Sequence, residues 1–258
     1  IQAIQTDNHH AMGPLYVPLL RQLSVSGEAR EAQGLVAAWD FQNDANSAGA
    51  AVFNAFFRHL VLRTLGDEIP TMIPGPDRAF ILFERLAAEP ASPWWDDVTT
   101  SAVEDQPAIV AAAFEAAVGE LHAMAGSDPA SWTWGGLHLA IFRNQTFGES
   151  GIAPIEALFN RGGFPTGGGG SIVNATSFRF GEGYEVTSLP SMRMILDLSD
   201  WDQSLLIHTT GQSGHAFHVH YIDMAPTWSR EQYAPFPWSD EAVQEAAVEH
   251  LILSPVTP

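Results

Sequence analysis

The residues whose types and spacing could do chemistry lie together near the end of the chain. Ser213, His215, His218, His220 and Asp223 all fall within this short segment. Neutral imidazoles at close spacing can bind zinc. A zinc-binding helix needs two histidines four residues apart, which this segment lacks, although a strand would direct His218 and His220 to the same side. We therefore predict hydrogen-bonded histidines in a packed loop, and no structural metal on them.

Nucleophilic catalysis is a second interpretation of the same segment. In a nucleophile elbow a glycine stands two positions after the serine, and His215 occupies that position after Ser213. The elbow motif is therefore not met. Ser-His-Asp triads are defined by geometry rather than by position in the chain, so a self-contained serine hydrolase built on Ser213, a histidine and Asp223 stays an alternative.

Two further patterns carry weaker chemical signals. The four glycines at 167–170 lack the Lys-Ser/Thr of a phosphate loop and the spaced glycines of a dinucleotide fingerprint, so they predict a flexible turn. The acidic pairs at 96–97 and 104–105 precede helical segments, where carboxylates stabilise the positive end of a helix. Glycosidase chemistry needs two carboxyl groups that converge in a cleft, which nothing in the sequence indicates.

Composition narrows the class of protein. The chain has 258 residues, of which 46% are apolar, enough for one large domain or two small ones with a buried core. Its 30 acidic residues face 11 basic ones, all arginine and scattered singly, and the net charge of -19 excludes nucleic acid as an expected partner. The absence of cysteine excludes disulfides and thiolate chemistry. No uninterrupted apolar run reaches about 18 residues, so no membrane span is predicted.

Helical apolar spacing dominates the first part of the chain, whereas alternating and glycine-rich segments dominate the rest. Helices are predicted to begin at Asn8, Ser26, Ser47, Asp77 and Glu104. Strands are predicted over 132–142, 172–180, 192–198 and 205–209, a loop over 162–170, and a last helix over 240–251 capped by Ser239. Helices followed by strands favour an α+β class over alternating βαβ units. We place a mainly helical part at 1–130 and a β-rich part with a C-terminal helix at 131–258, both within one larger fold.

Two of these segments carry predictions about burial. The helix after Ser47 has a broad apolar stripe that must face a core or a partner; the stripe consists of Val52, Phe53, Phe56, Phe57, Leu60, Val61 and Leu65. Residues 192–198 alternate in the strand manner and are predicted to form a central strand. Its wholly buried face is predicted to consist of Met192, Met194, Leu196 and Leu198.

A succession of short segments gives the sequence its strongest signal. The segments, in chain order, are Gln-Thr-Asp-Asn at 5–8, Trp-Asp at 39–40, Trp-Trp-Asp-Asp at 94–97, Trp-Thr-Trp-Gly-Gly-Leu-His at 132–138, Asn-Arg-Gly-Gly-Phe-Pro at 160–165, Val-Asn-Ala-Thr at 173–176 and the stretch 191–221. Their order and spacing resemble those of penicillin acylase β-chains over nearly the whole chain. The long stretch from Ser191 to Tyr221 is the most specific of them.

This resemblance implies an N-terminal-nucleophile hydrolase with an αββα sandwich. In that family the β-chain begins with a serine, and its own α-amine activates its hydroxyl to attack an amide. Backbone N–H groups and an asparagine side chain stabilise the oxyanion. The products are a carboxylic acid and an amine, and the typical substrates are penicillins, cephalosporins and acyl-homoserine lactones.

The sequence departs from the family pattern at its first residue, which is Ile1 rather than serine. Its motifs match the later half of the β-chain, so we expect no catalytic, cofactor-binding or metal-binding residue in this chain. By resemblance, the serine, the acyl-pocket aromatics and the oxyanion asparagine belong to earlier segments. The resemblance also allows calcium in the whole enzyme, with ligands in those earlier segments. The glycine loop of the family often has the sequence Gly-Asp-Gly, whereas residues 167–170 of this chain include no acidic residue.

The expected function is that of an amidohydrolase component which completes the fold around a site built elsewhere. The expected partners are the α-chain, the Ser-initiated part of the β-chain and a small-molecule amide substrate. The resemblance implies a periplasmic or secreted location. We expect the chain to be neither stable nor active alone. A non-catalytic assembly or binding domain is the alternative from another class, beside the serine hydrolase that would use Ser213.

Overall fold

The computed structural model describes residues 1–254. Helices occupy most of the first half and short strands appear only after residue 138. The helices are α1 (Gln2–Gln5), α2 (Gly13–Leu20), α3 (Gly27–Ala38), α4 (Ala48–Leu65), α5 (Pro76–Ala87), α6 (Gln106–Ala125), α7 (Trp134–Leu137), α8 (Ala153–Phe159), α9 (Ala225–Ser229) and α10 (Asp240–Ala246). The strands are β1 (Leu139–Phe142), β2 (Arg161–Pro165), β3 (Met192–Ile195), β4 (Leu205–His208) and β5 (Ala234–Pro235). This mixed helix-and-sheet architecture agrees with the predicted α+β class.

Helix α4 lies at the centre of the larger of two hydrophobic cores. Its stripe of Phe53, Phe56, Phe57 and Leu60 is 0–1% exposed, and the ring of Phe56 packs edge-on against Phe114 of α6 at 6.5 Å. The prediction of a core-facing helix is therefore confirmed. The chain's own helices cover this stripe, so the stripe gives no reason to expect a partner chain.

The start of α4 depends on a side-chain cap. Ser47 accepts a hydrogen bond from the backbone N–H of Ala50 at 3.1 Å, whereas Ser26, before α3, makes no side-chain cap bond. Replacing a serine that caps a helix by alanine costs about 1 kcal/mol. We expect Ser47→Ala to lower the free energy of unfolding by about that amount and Ser26→Ala by less than about 0.5 kcal/mol. Urea denaturation of both variants checks this, and equal losses would show that the Ser47 cap contributes nothing.

Helix α6 is the one described helix long and apolar enough to cross a bilayer by length and composition, with a mean hydropathy of 1.4. Its apolar face packs into the helical core through Ile109, Val110 and Phe114. The same helix carries Glu115 and Glu120, and Glu120 forms an ion pair with Arg58 of α4. We therefore interpret α6 as a core helix.

The strands form two small antiparallel sheets. One sheet pairs β1 with β2, and the other has the order β3–β4–β5. Met194 of β3 lies opposite Leu206 of β4, so both residues share one face of the second sheet. The other face packs on a second, smaller core that includes Ile207 and Trp228.

The prediction of a central strand over 192–198 is wrong in position, in extent and in orientation, because β3 lies at the edge of its sheet. The strand ends at Ile195, and Met192, Met194, Leu196 and Leu198 are 38–75% exposed. Arg193 takes the buried side instead, at 4% exposure. The reason is that hydrogen-bond acceptors and the Trp228 ring surround its guanidinium on the inner face.

Several other predicted boundaries shift for identifiable reasons. Residues 132–133 have no regular structure and residues 134–137 form α7 rather than a strand. The Trp132 and Trp134 side chains pack into the helical core, and their indole N–H groups donate to the carbonyls of Gly126 and Gly168. Residues 172–180 hold no strand but a single bridge, between Ser177 and Ser188. The predicted loop over 162–170 begins with β2, and the last helix ends at Ala246 although Ser239 caps it as predicted.

The predicted helix starts agree with the structure more closely than the predicted strand boundaries do. Ser26 and Ser47 are the residues before α3 and α4, and α5 and α6 begin within two residues of Asp77 and Glu104. The prediction for Asn8 is wrong, because α2 begins only at Gly13. Asn8 is instead buried, and its side chain bonds to distant residues.

Candidate functional site

A buried polar network joins the helical part of the chain to the sheets. The Asn174 amide donates to Asn8 Oδ1 at 3.0 Å and to Glu231 Oε1 at 2.9 Å. Asn8 donates to the same Glu231 oxygen at 3.0 Å and to Asp44 Oδ1 at 2.9 Å. Arg193 donates to Asn174 Oδ1 at 2.8 Å. Five segments that are far apart in the chain are thus fixed to one another through Asn174 and Asn8.

Arg193 brings a positive charge into this network. Its Nη1 donates to the carbonyl oxygen of Trp228 at 2.9 Å, and its guanidinium lies 4.9 Å from the centre of the Trp228 ring. Burial lowers the pKa of Arg193, while the nearby Glu231 carboxylate raises it. Its Nε has no hydrogen-bond partner in the part of the chain that the structure describes. The charge is stabilised mainly by a carbonyl, an amide oxygen and an aromatic face.

Glu231 is the acidic counterpart in the network. Its backbone has a φ of 60°, in the left-handed region that non-glycine residues seldom adopt. Burial raises the pKa of the Glu231 carboxyl, and hydrogen bonds from Asn8 and Asn174 with the charge of Arg193 oppose that rise. The side-chain amides of Asn8 and Asn174 thus both donate hydrogen bonds to one oxygen of this carboxyl. The arrangement holds the segment after α9 in a fixed position.

The glycines at 167–170 pack directly against this network. All four are buried, and the carbonyl of Gly168 accepts from Trp134 Nε1 at 3.0 Å and from Asn43 Nδ2 at 3.2 Å. A Cβ on Gly167 would lie 2.5 Å from Glu231 Oε1, and Gly168 has a φ of +85°. The sequence-based prediction of a flexible turn is wrong, because close packing and a positive φ account for these glycines.

His138, in the same region, is wholly buried. Its Nδ1 lies 2.6 Å from the carbonyl oxygen of Tyr184 and its Nε2 lies 2.9 Å from that of Thr176. Burial lowers the pKa of His138 to about 4, and the two carbonyls oppose that shift. The ring stacks on Trp134 at 4.4 Å between centroids. The histidine of the 132–138 motif therefore anchors the chain around residues 176 and 184.

A charged cluster lies between α4, α6 and the segment around Tyr184. Glu120 Oε2 accepts from the Tyr184 hydroxyl and lies 2.9 Å from His59 Nε2, and Glu120 Oε1 lies 3.1 Å from Arg58 Nη1. Burial opposes ionisation of Glu120. Hydrogen bonds from His59 and Tyr184 and the charge of Arg58 outweigh it and lower the pKa of Glu120 to about 2.

This lowered pKa predicts how stability depends on pH. Because the folded state holds Glu120 ionised more strongly than the unfolded state does, the contribution is complete above about pH 4.5 and is lost as the pH falls towards about 2. We expect Glu120→Gln to be less stable than the wild type at neutral pH, with a difference that shrinks over this interval. Urea denaturation at a series of pH values measures it. Glu115→Gln, an exposed position on the same helix, is the control and should show no such trend.

The histidine segment singled out from the sequence lies at the surface and is bonded locally. Ser213 Oγ accepts from the backbone N–H of His215 at 3.2 Å, and His218 Nδ1 accepts from the N–H of His220 at 3.1 Å. His220 Nδ1 lies 2.6 Å from Asp223 Oδ2.

The geometry of this segment does not favour either of its chemical interpretations. Within residues 1–254 no hydrogen bond joins the Ser213 hydroxyl to a histidine ring, so the Ser-His-Asp triad is not assembled. No group of three or more His, Asp or Glu side chains in that range is arranged to hold a metal ion. The lack of a structural metal stays a prediction.

An exposed apolar surface covers the outer side of the second sheet and the segment that follows β3. This surface, termed here the outer sheet face, consists of Met192, Met194, Leu196 and Leu198. Exposed Ile1 and Ile4 of the N-terminal segment are nearby, since Gln5 Nε2 donates to the carbonyl of Met194 at 3.1 Å. Larger exposed apolar patches are typical of interaction sites.

The fold has a counterpart among solved structures. It is similar to the solved structure of thermostable penicillin G acylase from Alcaligenes faecalis, with a TM-score of 0.51 at 13% sequence identity. The likeness covers 98% of this chain and 48% of that one. At this identity the likeness shows the fold alone, which is that of a penicillin acylase chain.

Sequence comparison then identifies the family. The penicillin amidase family model matches residues 1–245, and the chain belongs to that family of amide hydrolases. It is 30% identical to the acyl-homoserine lactone acylase QuiP of Pseudomonas syringae pv. syringae, over 88% of this chain and 29% of the relative. It is 27% identical to the penicillin acylase 2 proenzyme of Pseudomonas sp. strain SE83, over 92% of this chain and 30% of the relative. The chain thus spans less than a third of the length of these curated relatives.

Proposed function

We propose that this chain is the C-terminal portion of an amidohydrolase that cleaves a linear acyl amide to a carboxylic acid and an amine. The observation that carries the proposal is the outer sheet face, which is apolar and uncovered in a chain that belongs to an acylase family. The rest of the enzyme covers this face, as the α-chain and the Ser-initiated part of the β-chain complete an αββα sandwich.

The nucleophile in this proposal is an N-terminal serine supplied by a segment outside these 258 residues. Its α-amine activates its hydroxyl, and backbone N–H groups with an asparagine side chain stabilise the oxyanion. The role of this chain is positional. The Asn174 network and the buried glycines at 167–170 fix the segments that meet the rest of the fold.

The substrate class follows from the relatives' names. An acyl-homoserine lactone acylase and a penicillin acylase both act on an acyl group joined to an amine by an amide. We propose the same bond here, with the acyl group selected by a pocket outside this chain. A periplasmic or secreted location, and calcium held by earlier segments of the whole enzyme, are part of the same proposal.

Expression of the chain with and without the remaining acylase segments tests the proposal. We expect the complete enzyme to hydrolyse a chromogenic acyl-anilide and an acyl-homoserine lactone, and the 258 residues alone to hydrolyse neither. Intact mass spectrometry of the active enzyme should show a chain that begins with serine. Ser213→Ala should leave the activity unchanged.

One result would support the serine-hydrolase alternative instead. In that case the isolated chain would be monomeric, would fold cooperatively and would hydrolyse the anilide, and Ser213→Ala would abolish the activity. A stable, correctly folded chain with no activity in any assembly would support the non-catalytic binding domain.

A further inference from the structure

A cavity of about 410 Å³ opens between the end of β1, the start of β2 and the segment 210–222. Its volume falls in the range of small-molecule sites, roughly 300–1,000 Å³. Among the described residues that line it there is no acidic side chain, although the chain has 30 acidic residues. Arginine, serine and amide side chains supply its polar groups instead, so the cavity is suited to an anionic or polar ligand.

Arg161 provides the positive charge. Its guanidinium has five N–H groups, and three of them donate to the carbonyls of Leu158, Asn160 and Ala216 at 2.8–3.0 Å. Two N–H groups, on the neighbouring atoms Nε and Nη2, remain for a ligand. The group is also held against the Tyr221 ring, 5.1 Å from its centre.

No carboxylate of the described residues lies within ion-pair distance of Arg161, whereas Arg143, which also lines the cavity, is paired with Glu185. The cavity therefore holds one uncompensated positive charge. A single negative charge on the ligand is enough to complement it.

The remaining lining favours a ligand with an apolar body. Phe142 and Ile222 supply apolar walls beside Arg161. The Ser213 hydroxyl accepts from His215 N–H, and its own hydrogen donates to none of the described residues. A hydroxyl donor and a guanidinium that line the same cavity suit the two oxygens of a carboxylate.

We propose that this cavity binds a small organic monocarboxylate. Arg161 donates hydrogen bonds to the carboxylate, and Phe142 and Ile222 contact the short apolar chain of the ligand. The site goes beyond the proposed amide hydrolysis and does not depend on it, since binding can be measured without turnover. The net charge of -19 repels anions elsewhere on the surface, so non-specific carboxylate binding should be weak.

Calorimetric titration of the complete enzyme with butanoate, and with butanamide as its neutral counterpart, tests the proposal. We expect saturable binding of butanoate, and butanamide binding that is weaker by about tenfold or more, the loss expected for a charge-assisted hydrogen bond. Arg161→Gln should weaken butanoate binding by a similar factor. Equal binding of the two compounds, or no saturable binding of butanoate, would overturn the proposal.

A second variant is needed because Arg161 also holds three backbone carbonyls. Gly214 lines the cavity, and a Cβ placed on it meets nothing within 4 Å. Gly214→Leu should therefore leave the fold intact, and its side chain should obstruct the cavity and weaken butanoate binding by about tenfold or more. Gly181→Leu, at an exposed glycine with equally open surroundings, is the control. Unchanged butanoate binding in Gly214→Leu would place the ligand elsewhere and contradict the proposal.

Discussion

Replacing Asn174 by leucine is expected to lower the free energy of unfolding by about 3–5 kcal/mol, since each buried polar group left without a partner costs about 1–3 kcal/mol. Asn174 is 0% exposed. The leucine would leave Asn8 Oδ1 and one N–H of Arg193 without their partners and would remove one of the two donors to Glu231. Two of these three groups belong to charged side chains, the buried Arg193 and the partly buried Glu231, which makes the loss larger than for a neutral pair.

Chemical denaturation of the complete enzyme, followed by tryptophan fluorescence, measures this loss. Asn46→Leu makes the same change at an exposed asparagine and should alter the free energy of unfolding by less than about 0.5 kcal/mol. If both variants unfold at the same denaturant concentration as the wild type, the network does not hold the two parts of the chain together.

The sequence could not predict this network, although it contains every member. Asn8 and Asn174 are 166 residues apart, and Asn8 and Glu231 are 223 apart. Local sequence patterns indicate only periodicity and helix caps. An asparagine before an apolar segment is a common helix cap, and Asn8 is therefore predicted to begin a helix. Asn174 and Arg193 appear in the segments that resemble the acylase family, but Glu231 carries no local signal at all.

The helices of the core could be predicted because the sequence signals for a helix lie within a short stretch of the chain. Serine at a helix start and apolar residues three or four positions apart identify α4 from 18 consecutive residues. A short strand contains fewer such sequence signals. Alternation over 192–198 identifies two faces, but it cannot say which one is inside when the polar residue between the methionines finds buried partners.

Because of that inversion, the outer sheet face is the surface through which we propose that the enzyme assembles. Met192 and Met194 lie on β3, which is an edge strand because only one of its two edges pairs with another strand, β4. A sheet face and a strand edge that are both open in one chain are typical of a fold completed by other segments. The sequence allowed the apolar stripe of α4 to face either a core or a partner, and the structure shows that it lies in a closed core.

Replacing Met194 by aspartate is therefore expected to abolish assembly of the enzyme. In the chain itself the side chain is 38% exposed, so the fold of these residues should tolerate the charge. In the assembled enzyme the carboxylate would be buried without a partner, and the desolvation cost of several kcal/mol weakens association by about a hundredfold or more. Co-expression with the remaining segments, followed by size-exclusion chromatography and the acyl-anilide assay, measures both assembly and activity.

The control for this prediction is Val103→Asp, which places the same charge at an apolar residue that is 87% exposed and belongs to the helical part. It should assemble and hydrolyse the anilide like the wild type, because a charge at a solvated position needs no partner. Met194→Gln should fall between the two, since an amide loses less free energy on burial than a carboxylate does. Normal assembly of Met194→Asp would show that the outer sheet face stays in solvent, and the partner chains would then have to bind another surface.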